Sequence, residues 1–400
     1  MVAAERSSAA ELVAATAADP VRRVLVICTR QIGDVFMVTP VIAEAKRLWP
    51  DSRIGVLGLS GTLGLLEGNP DVAERIEVPP GSGWLASWRL IRRIWRSYDL
   101  ALICERSDRA HLYGWLAAQR RVGLVVEPWR GGRWKHRGLA HAVVAKSNDQ
   151  HVVLERLQLL SPWSSVDSNP GAGVRLTPPP SRELPQALEG RLASRYIVIQ
   201  APSLWSFKQW PLEHYRALAQ ILAQHGWQVV LTGSGSDADM AKCKAVAQGD
   251  WLARPDGLEP LVHASGLLAW PQLTGLLQRA QLYVGPDTSV THLAAACGIP
   301  VIAIYGPVDP RLWGPWPDGH AAIQPYQARG PVQRKGLVTV VQSSRSCVPC
   351  NRSGCDDHRE SRSACLAEDI RVDDVLQQAL AALHERGTPD ESEPVGRAGL

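Results

Sequence analysis

The chain has two phenylalanines against fifteen tryptophans, and no run of about 18 apolar residues. The first shortage has no physical reading by itself. The second excludes a membrane-spanning helix, so any membrane contact is expected to be peripheral. An excess of charge of one sign is also missing. Lys and Arg number 43, Asp and Glu 39, giving a formal net charge of +4. That is too small to argue for nucleic acid. The first twenty residues are Ala-rich but broken by Glu5, Arg6, Glu11 and Asp19, so they lack the continuous apolar core of a signal peptide. They read as a disordered leader, and the protein as cytoplasmic.

What is present is ordinary for a well-cored protein: 45% hydrophobic and 20% charged residues. Four hundred residues suggest two or three domains. Short apolar runs at 24–28, 54–57, 76–78 and 100–104 alternate with helical stretches, which argues for an α/β fold with a doubly wound parallel sheet. Residues 161–185 are rich in Pro, Ser and Gly and read as a linker. The alternation then restarts with runs at 196–200, 228–232, 282–284 and 301–305. The expected layout is a leader at 1–20, a first domain at 21–165, a linker at 166–190, a second domain at 191–370, a closing helix at 371–386 and a disordered tail at 387–400.

Four constellations carry chemistry. Gly33 permits a tight turn after the first strand, and Asp34 follows at a helix N-terminus, where the dipole favours its charge. That residue suits a general base or a plain N-cap. Lys208 follows the first strand of the second domain and suits a phosphate contact or a surface position. The stretch Gly233-Ser234-Gly235-Ser236-Asp237-Ala238 fits a dinucleotide fingerprint, with Asp250 at the distance of a ribose-binding acid. The stretch Gly285-Pro286-Asp287-Thr288-Ser289, with His292 one turn on, places an acid and two hydroxyls at a helix N-terminus, a natural anion site. Its strand and the next both end in Gly-Pro turns, Gly285-Pro286 and Gly306-Pro307. These should lie on one edge of a parallel sheet, where such folds bind ligands.

Cys28, Cys104, Cys243 and Cys297 sit in or beside apolar segments and read as core residues. Cys347, Cys350, Cys355 and Cys365 are spaced as a metal site would be, and structural zinc or iron competes there with reduced thiols.

At GDVFMVTP (33–40), FKQWPLEHY (207–215), LTGSGSD (231–237), the block 284–310 and CVPCNRSGCDDHRESRSACL (347–366), the chain resembles glycosyltransferase family 9, the ADP-heptose:lipopolysaccharide heptosyltransferases. The resemblance implies a GT-B fold of two Rossmann-like domains facing across a cleft, with the C-terminal helix crossing back onto the first domain. It implies acceptor binding by the first domain and ADP-sugar binding by the second. Asp34 matches the catalytic base and Lys208 a lysine that contacts phosphate. Gly33, Ser203, Gly233, Asp237, Gly285, Asp287, Thr288, Ser289 and His292 join the nucleotide-sugar set. The implied reaction is one inverting displacement of ADP from ADP-heptose by a hydroxyl of the lipopolysaccharide inner core (Kdo/heptose-lipid A), with no cofactor required for catalysis. The basic segment with Arg120, Arg121, Arg130, Arg133, Lys135 and Arg137 suits an acidic acceptor or the cytoplasmic face of the inner membrane. O-antigen, capsule and protein acceptors are alternatives. From another class, a nicotinamide-dependent oxidoreductase would use Gly233, Gly235 and Ala238.

Overall fold

The computed structural model describes residues 2–81, 83–127, 132–145, 150–164, 173–320 and 323–387. The expected tail beyond residue 387, Arg130, and 166–172 of the expected linker lie outside these residues. The chain opens with helix α1 (Val2–Ala18), where a disordered leader was expected. Alanine is the strongest helix former, and tertiary anchors fix this helix: Leu12 and Thr16 are buried, and the Trp163 indole donates to the Thr16 hydroxyl at 2.8 Å.

Six parallel strands follow: β1 (Arg23–Ile27), β2 (Arg53–Leu59), β3 (Val72–Val78), β4 (Tyr98–Ile103), β5 (Ala118–Val125) and β6 (His141–Val144), in the spatial order β3-β2-β1-β4-β5-β6. Val24 through Ile27 are fully buried, because helices cover both faces of the sheet. These are α2 (Ile32–Phe36), α3 (Thr39–Leu48), α4 (Trp84–Ile94), α5 (Asp108–Ala117), α6 (Arg133–Arg137) and α7 (Val152–Leu157).

The basic segment is thus two strands and a short helix, and much of its charge is engaged structurally. Arg120 bonds Asp19, Arg121 bonds the Ala118 and Gly138 carbonyls, and Lys135 bonds the Arg106 carbonyl and Asp108.

The second sheet contains β7 (Tyr196–Gln200), β8 (Gln228–Thr232), β9 (Leu261–His263), β10 (Leu282–Pro286), β11 (Val301–Tyr305), β12 (Val332–Lys335) and β13 (Val338–Gln342), in the order β12-β13-β11-β10-β7-β8-β9. Only the β12–β13 hairpin is antiparallel. Its helices are α8 (Leu212–Gln224), α9 (Asp237–Ala247), α10 (Trp270–Arg279), α11 (Ser289–Ala296), α12 (Pro310–Trp313) and α13 (Val372–Gly387). Gly226 and Gly298 follow α8 and α11 with φ of +85° and +68°, left-handed values that end a helix without Cβ strain.

Among the parallel strands, each sheet reverses its order at one place, between β1 and β4 in the first and between β7 and β10 in the second. Crevices at the carboxyl ends of such strands are where these folds take ligands. The two crevices face each other. Helix α2 packs on α11 across the gap, and the His151 Nε2–H donates to the Gly314 carbonyl at 2.8 Å.

Residues 173–190 are strapped to both domains. Thr177 N donates to Thr39 Oγ1 at 3.1 Å, and Arg182 N to the Pro271 carbonyl at 3.0 Å. The closing helix does not cross to the first domain. Helix α13 packs on α8, β10, β11 and β13, burying Val375, Ala379 and Leu383 there, and Arg386 bonds the Ala280 carbonyl.

The segment entering α13 is pinned by Trp210, which is fully buried and donates its Nε1–H to the Ile370 carbonyl at 2.9 Å. Trp210→Ala is expected to lower the unfolding free energy by about 3–5 kcal/mol, read as a fall in the urea midpoint. An unchanged midpoint would mean that this contact does not hold the closing segment.

Candidate active site

The cleft between the crevices has a volume of about 990 Å³. The first domain contributes the end of β1 and helix α2. Asp34 lies in the first turn of α2 and is buried. Its Oδ1 accepts from Arg156 Nη2 at 2.9 Å and from Arg30 Nε at 3.1 Å, while Arg156 Nη1 donates to the Asp34 carbonyl at 2.5 Å. Arg156 comes from α7 and is itself buried, so a paired guanidinium stabilises a carboxylate that would otherwise be costly inside the protein. Both arginine side chains take the same oxygen. Among the described residues, none donates to Oδ2, which leaves it for a ligand.

Gly33 does not make the tight turn expected of it. It lies inside α2, and a Cβ there would meet Ser289 at 3.6 Å and the His292 ring at 3.7 Å, so this position is where the two domains approach.

The second domain contributes the loops after β7 and β10. Lys208 ends a short turn, and its Nζ lies 2.6 Å from Oδ2 of the buried Asp287. Thr288 is the N-cap residue of α11 in extended conformation, and Thr288, Ser289 and Val290 line the cleft, so the helix N-terminus opens on it. The turn is braced from behind by the Thr291 hydroxyl, which bonds the Pro286 carbonyl and the Tyr283 hydroxyl.

Ser203 is buried, accepts from Trp205 N and, through its carbonyl, from Lys242 Nζ at 2.6 Å. At Gly233 a Cβ would meet Cys243 Sγ at 3.0 Å and Pro202 at 3.2 Å, so a side chain there would have to push its neighbours back by a few tenths of an ångström.

The cleft therefore gathers Gly33, Asp34, Ser203, Lys208, Gly233, Asp287, Thr288, Ser289 and His292. It does not gather Asp237 or Gly285. Asp237 is exposed at the start of α9, and Asp239 lines the cleft in its place, bonded to Ser234 N and Oγ. Gly285 is buried in β10, where a Cβ would run into the Tyr283 hydroxyl.

Arg30 and Arg156, and the rings of Trp205, Trp270 and Trp313, escaped sequence reasoning. For Arg156 the signal is a lone arginine inside the apolar helical stretch 152–160.

Asp237-Ala238-Asp239 forms an Asp-x-Asp triplet, of which only Asp239 lines the cleft. No three His, Cys, Asp or Glu side chains gather as a metal-holding group among the described residues. The same holds for the cysteine cluster, whose four thiols are free. They do act on one another: burial, then the charges of Cys350, Cys355 and Cys347, push the Cys365 thiol up to about 12. The cysteine loop reaches the cleft through Asn351, Arg352 and Ser353.

Two doubly wound domains whose switch-point crevices face across one cleft define the GT-B fold. Solved structures agree on the fold. The heptosyltransferase II structure from Escherichia coli matches at TM-score 0.66 and 19% identity, over 92% of this chain and 100% of that one. A glycosyltransferase family 9 structure from Veillonella parvula matches at 0.68 and 17%, over 91% and 98%. The model of glycosyltransferase family 9 (heptosyltransferase) matches residues 87–336, and the chain belongs to that family. Among curated proteins it is similar to lipopolysaccharide heptosyltransferase 3 of Escherichia coli, 29% identical over 71% of this chain and 83% of that one. It is also similar to lipooligosaccharide heptosyltransferase 2 of Haemophilus influenzae, 25% identical over 78% and 91%. Nothing in these comparisons supports the oxidoreductase alternative, and Asp250 is exposed outside the cleft.

Burial pushes His292 down to about 4, with Asp287 opposing and Lys208 assisting, and pushes His151 down to about 3. Both are neutral in the folded protein at pH 7. An unfolded histidine takes up its proton near about 6.5, so the unfolded chain binds more protons below that pH. Stability present above pH 6.5 is therefore expected to fall as the pH drops towards 4, by up to about 3 kcal/mol for His292. In thermal melts across this range His292→Asn should lose less stability than the parent. Parallel curves would remove His292 as a source.

Proposed function

We propose that the protein is an inverting transferase that moves heptose from ADP-heptose to a hydroxyl of the lipopolysaccharide inner core. The observation that carries this reading is the opposition of Asp34, on the first domain, to Lys208, Asp287 and the α11 N-terminus on the second. Family membership and relatives named for lipopolysaccharide heptosyl transfer support it.

In this mechanism the acceptor hydroxyl enters from the first domain and meets Asp34 Oδ2. Arg156 and Arg30 hold Oδ1, so the carboxylate cannot rotate away, and Oδ2 takes the proton as general base. The hydroxyl oxygen bonds to the anomeric carbon as the bond to the diphosphate oxygen breaks on the opposite face, which inverts that centre. Lys208 exchanges Asp287 for the leaving diphosphate. The N–H groups at the start of α11 stabilise the same developing charge. Asp287, freed from the lysine, accepts from hydroxyls of the donor. The nucleoside lies against the glycine turn at 233–236, beside Asp239.

The expected outcome of an assay with ADP-heptose and truncated inner-core acceptors is transfer with release of ADP. Asp34→Ala should reduce turnover by at least about 100-fold while leaving ADP affinity nearly unchanged. Retained activity would remove Asp34 as the base, and tight NADH binding without ADP binding would overturn the transferase reading.

A structural zinc or iron held by Cys347, Cys350, Cys355 and Cys365 is the finer reading of the cysteine cluster. The donor set and the influence of Cys347, Cys350 and Cys355 on the Cys365 thiol support it, while no three His, Cys, Asp or Glu side chains gather as a metal-holding group among the described residues. Elemental analysis of protein purified under reducing conditions decides: one metal per chain supports the site, and none removes it.

No helix among the described residues is long and apolar enough to cross a membrane. An acceptor built on lipid A places the enzyme peripherally at the cytoplasmic face of the inner membrane.

A further inference from the structure

The α4, α5 and α6 side of the first sheet, none of whose residues lines the active-site cleft, carries a surface that the proposed transfer chemistry does not use. Helix α4 buries only Leu90 and Ile94 against the sheet. On its other side Trp84 is 74% exposed and Trp88 54% exposed. Helix α5 packs beside α4 and presents Trp115, 55% exposed, together with an exposed Leu112. Helix α6 adds an exposed Trp134 next to the buried His111 ring.

A soluble surface rarely leaves several large rings bare together. Between α5 and α6 lies a second cavity of about 990 Å³, lined by Trp115, Trp134, Arg121, Arg133 and Arg137. The charge around the rings has one sign. Residues 84–98 contain Arg89, Arg92, Arg93 and Arg96 and no acidic residue. The Arg92 guanidinium lies 5.5 Å from the centre of the Trp88 ring. The acidic neighbours Glu74 and Asp108 are already paired, with Arg93 and Lys135.

We infer that this face, formed by α4, α5 and α6, docks the protein on an anionic lipid bilayer. The tryptophans seat at the level of the headgroups, the arginines pair with lipid phosphates, and the cavity between α5 and α6 receives a headgroup. Amphipathic rings favour the boundary between water and hydrocarbon. Basic side chains near an anionic leaflet add attraction that salt screens. A protein partner would need acidic groups matched to Arg89, Arg92 and Arg96, whereas an anionic membrane offers phosphates at every position. The inference deepens the membrane part of the reading above, because it names the face. Its test needs neither donor nor acceptor, so it can fail without the transferase reading failing.

The test is flotation of the full chain with vesicles of phosphatidylcholine alone and of phosphatidylcholine with phosphatidylglycerol, at low and high salt. Binding to the anionic vesicles, reduced by salt and weak on neutral ones, is expected. The combined variant Trp84→Ser, Trp88→Ser, Trp115→Ser should reduce partitioning by at least about ten-fold, and Arg92→Glu with Arg96→Glu should do the same. Both variants should keep the parent's far-ultraviolet circular dichroism and its ADP binding. No binding to anionic vesicles, or variants that float as well as the parent, would overturn the assignment. So would a concentration-dependent dimer in sedimentation equilibrium that the tryptophan variant abolishes, which would give the face to a second copy of the chain.

Discussion

The buried pair between Arg156 and Asp34 is the constraint on which the rest of the site depends. An ionised carboxylate inside a protein is tolerated only with a partner close by. Here that partner comes from α7, the last helix of the first domain, and reaches back to the first turn after β1. The contact spans the domain's sequence and closes it on itself. It also fixes which carboxylate oxygen remains available. Arg30 adds a second bond to the same oxygen while its guanidinium faces the Trp313 ring of the other domain. The geometry of the proposed base is thus held by the fold of one domain and by contact with the other.

Much of the architecture was legible because buried parallel strands read as short apolar runs. The runs at 24–28 and 196–200 are examples, and in the structure they pair with their neighbours in register. Where the pattern failed, charge masked it. Strand β5 carries Arg120 and Arg121, whose guanidinium groups bond backbone and Asp19 instead of projecting into solvent, so a strand read as a basic segment. The leader failed for the opposite reason: its alanines are good helix formers, but the anchor that orders it, Trp163 on Thr16, is 147 residues away. Helix α13 has an apolar stripe that fits either domain, and sequence alone does not say which one lies beneath it.

The site was legible to a similar extent. Asp34, Lys208 and Asp287 each lie in the connection that leaves a strand, and the two sheet orders bring just those strand ends to the switch points. Turn chemistry marked Asp287 without any tertiary information, whereas the turn expected at Gly33 is part of α2. Arg156 was not legible, because its role comes from a contact 122 residues distant. Asp237 and Asp239 show how fine the limit is. Two helix positions separate an exposed acid from one that lines the cleft, and only the direction of α9 decides between them.

The pairing of Lys208 with Asp287 bears on what the cleft will refuse. A lone phosphate that captured the lysine would strand a buried aspartate without a counterion, and that loss opposes its binding. A sugar nucleotide brings a diphosphate for the lysine and hydroxyls for the aspartate in one molecule. In the proposed mechanism the pair acts as a filter: abundant small anions gain little from the cleft, and it favours ligands that compensate both partners at once.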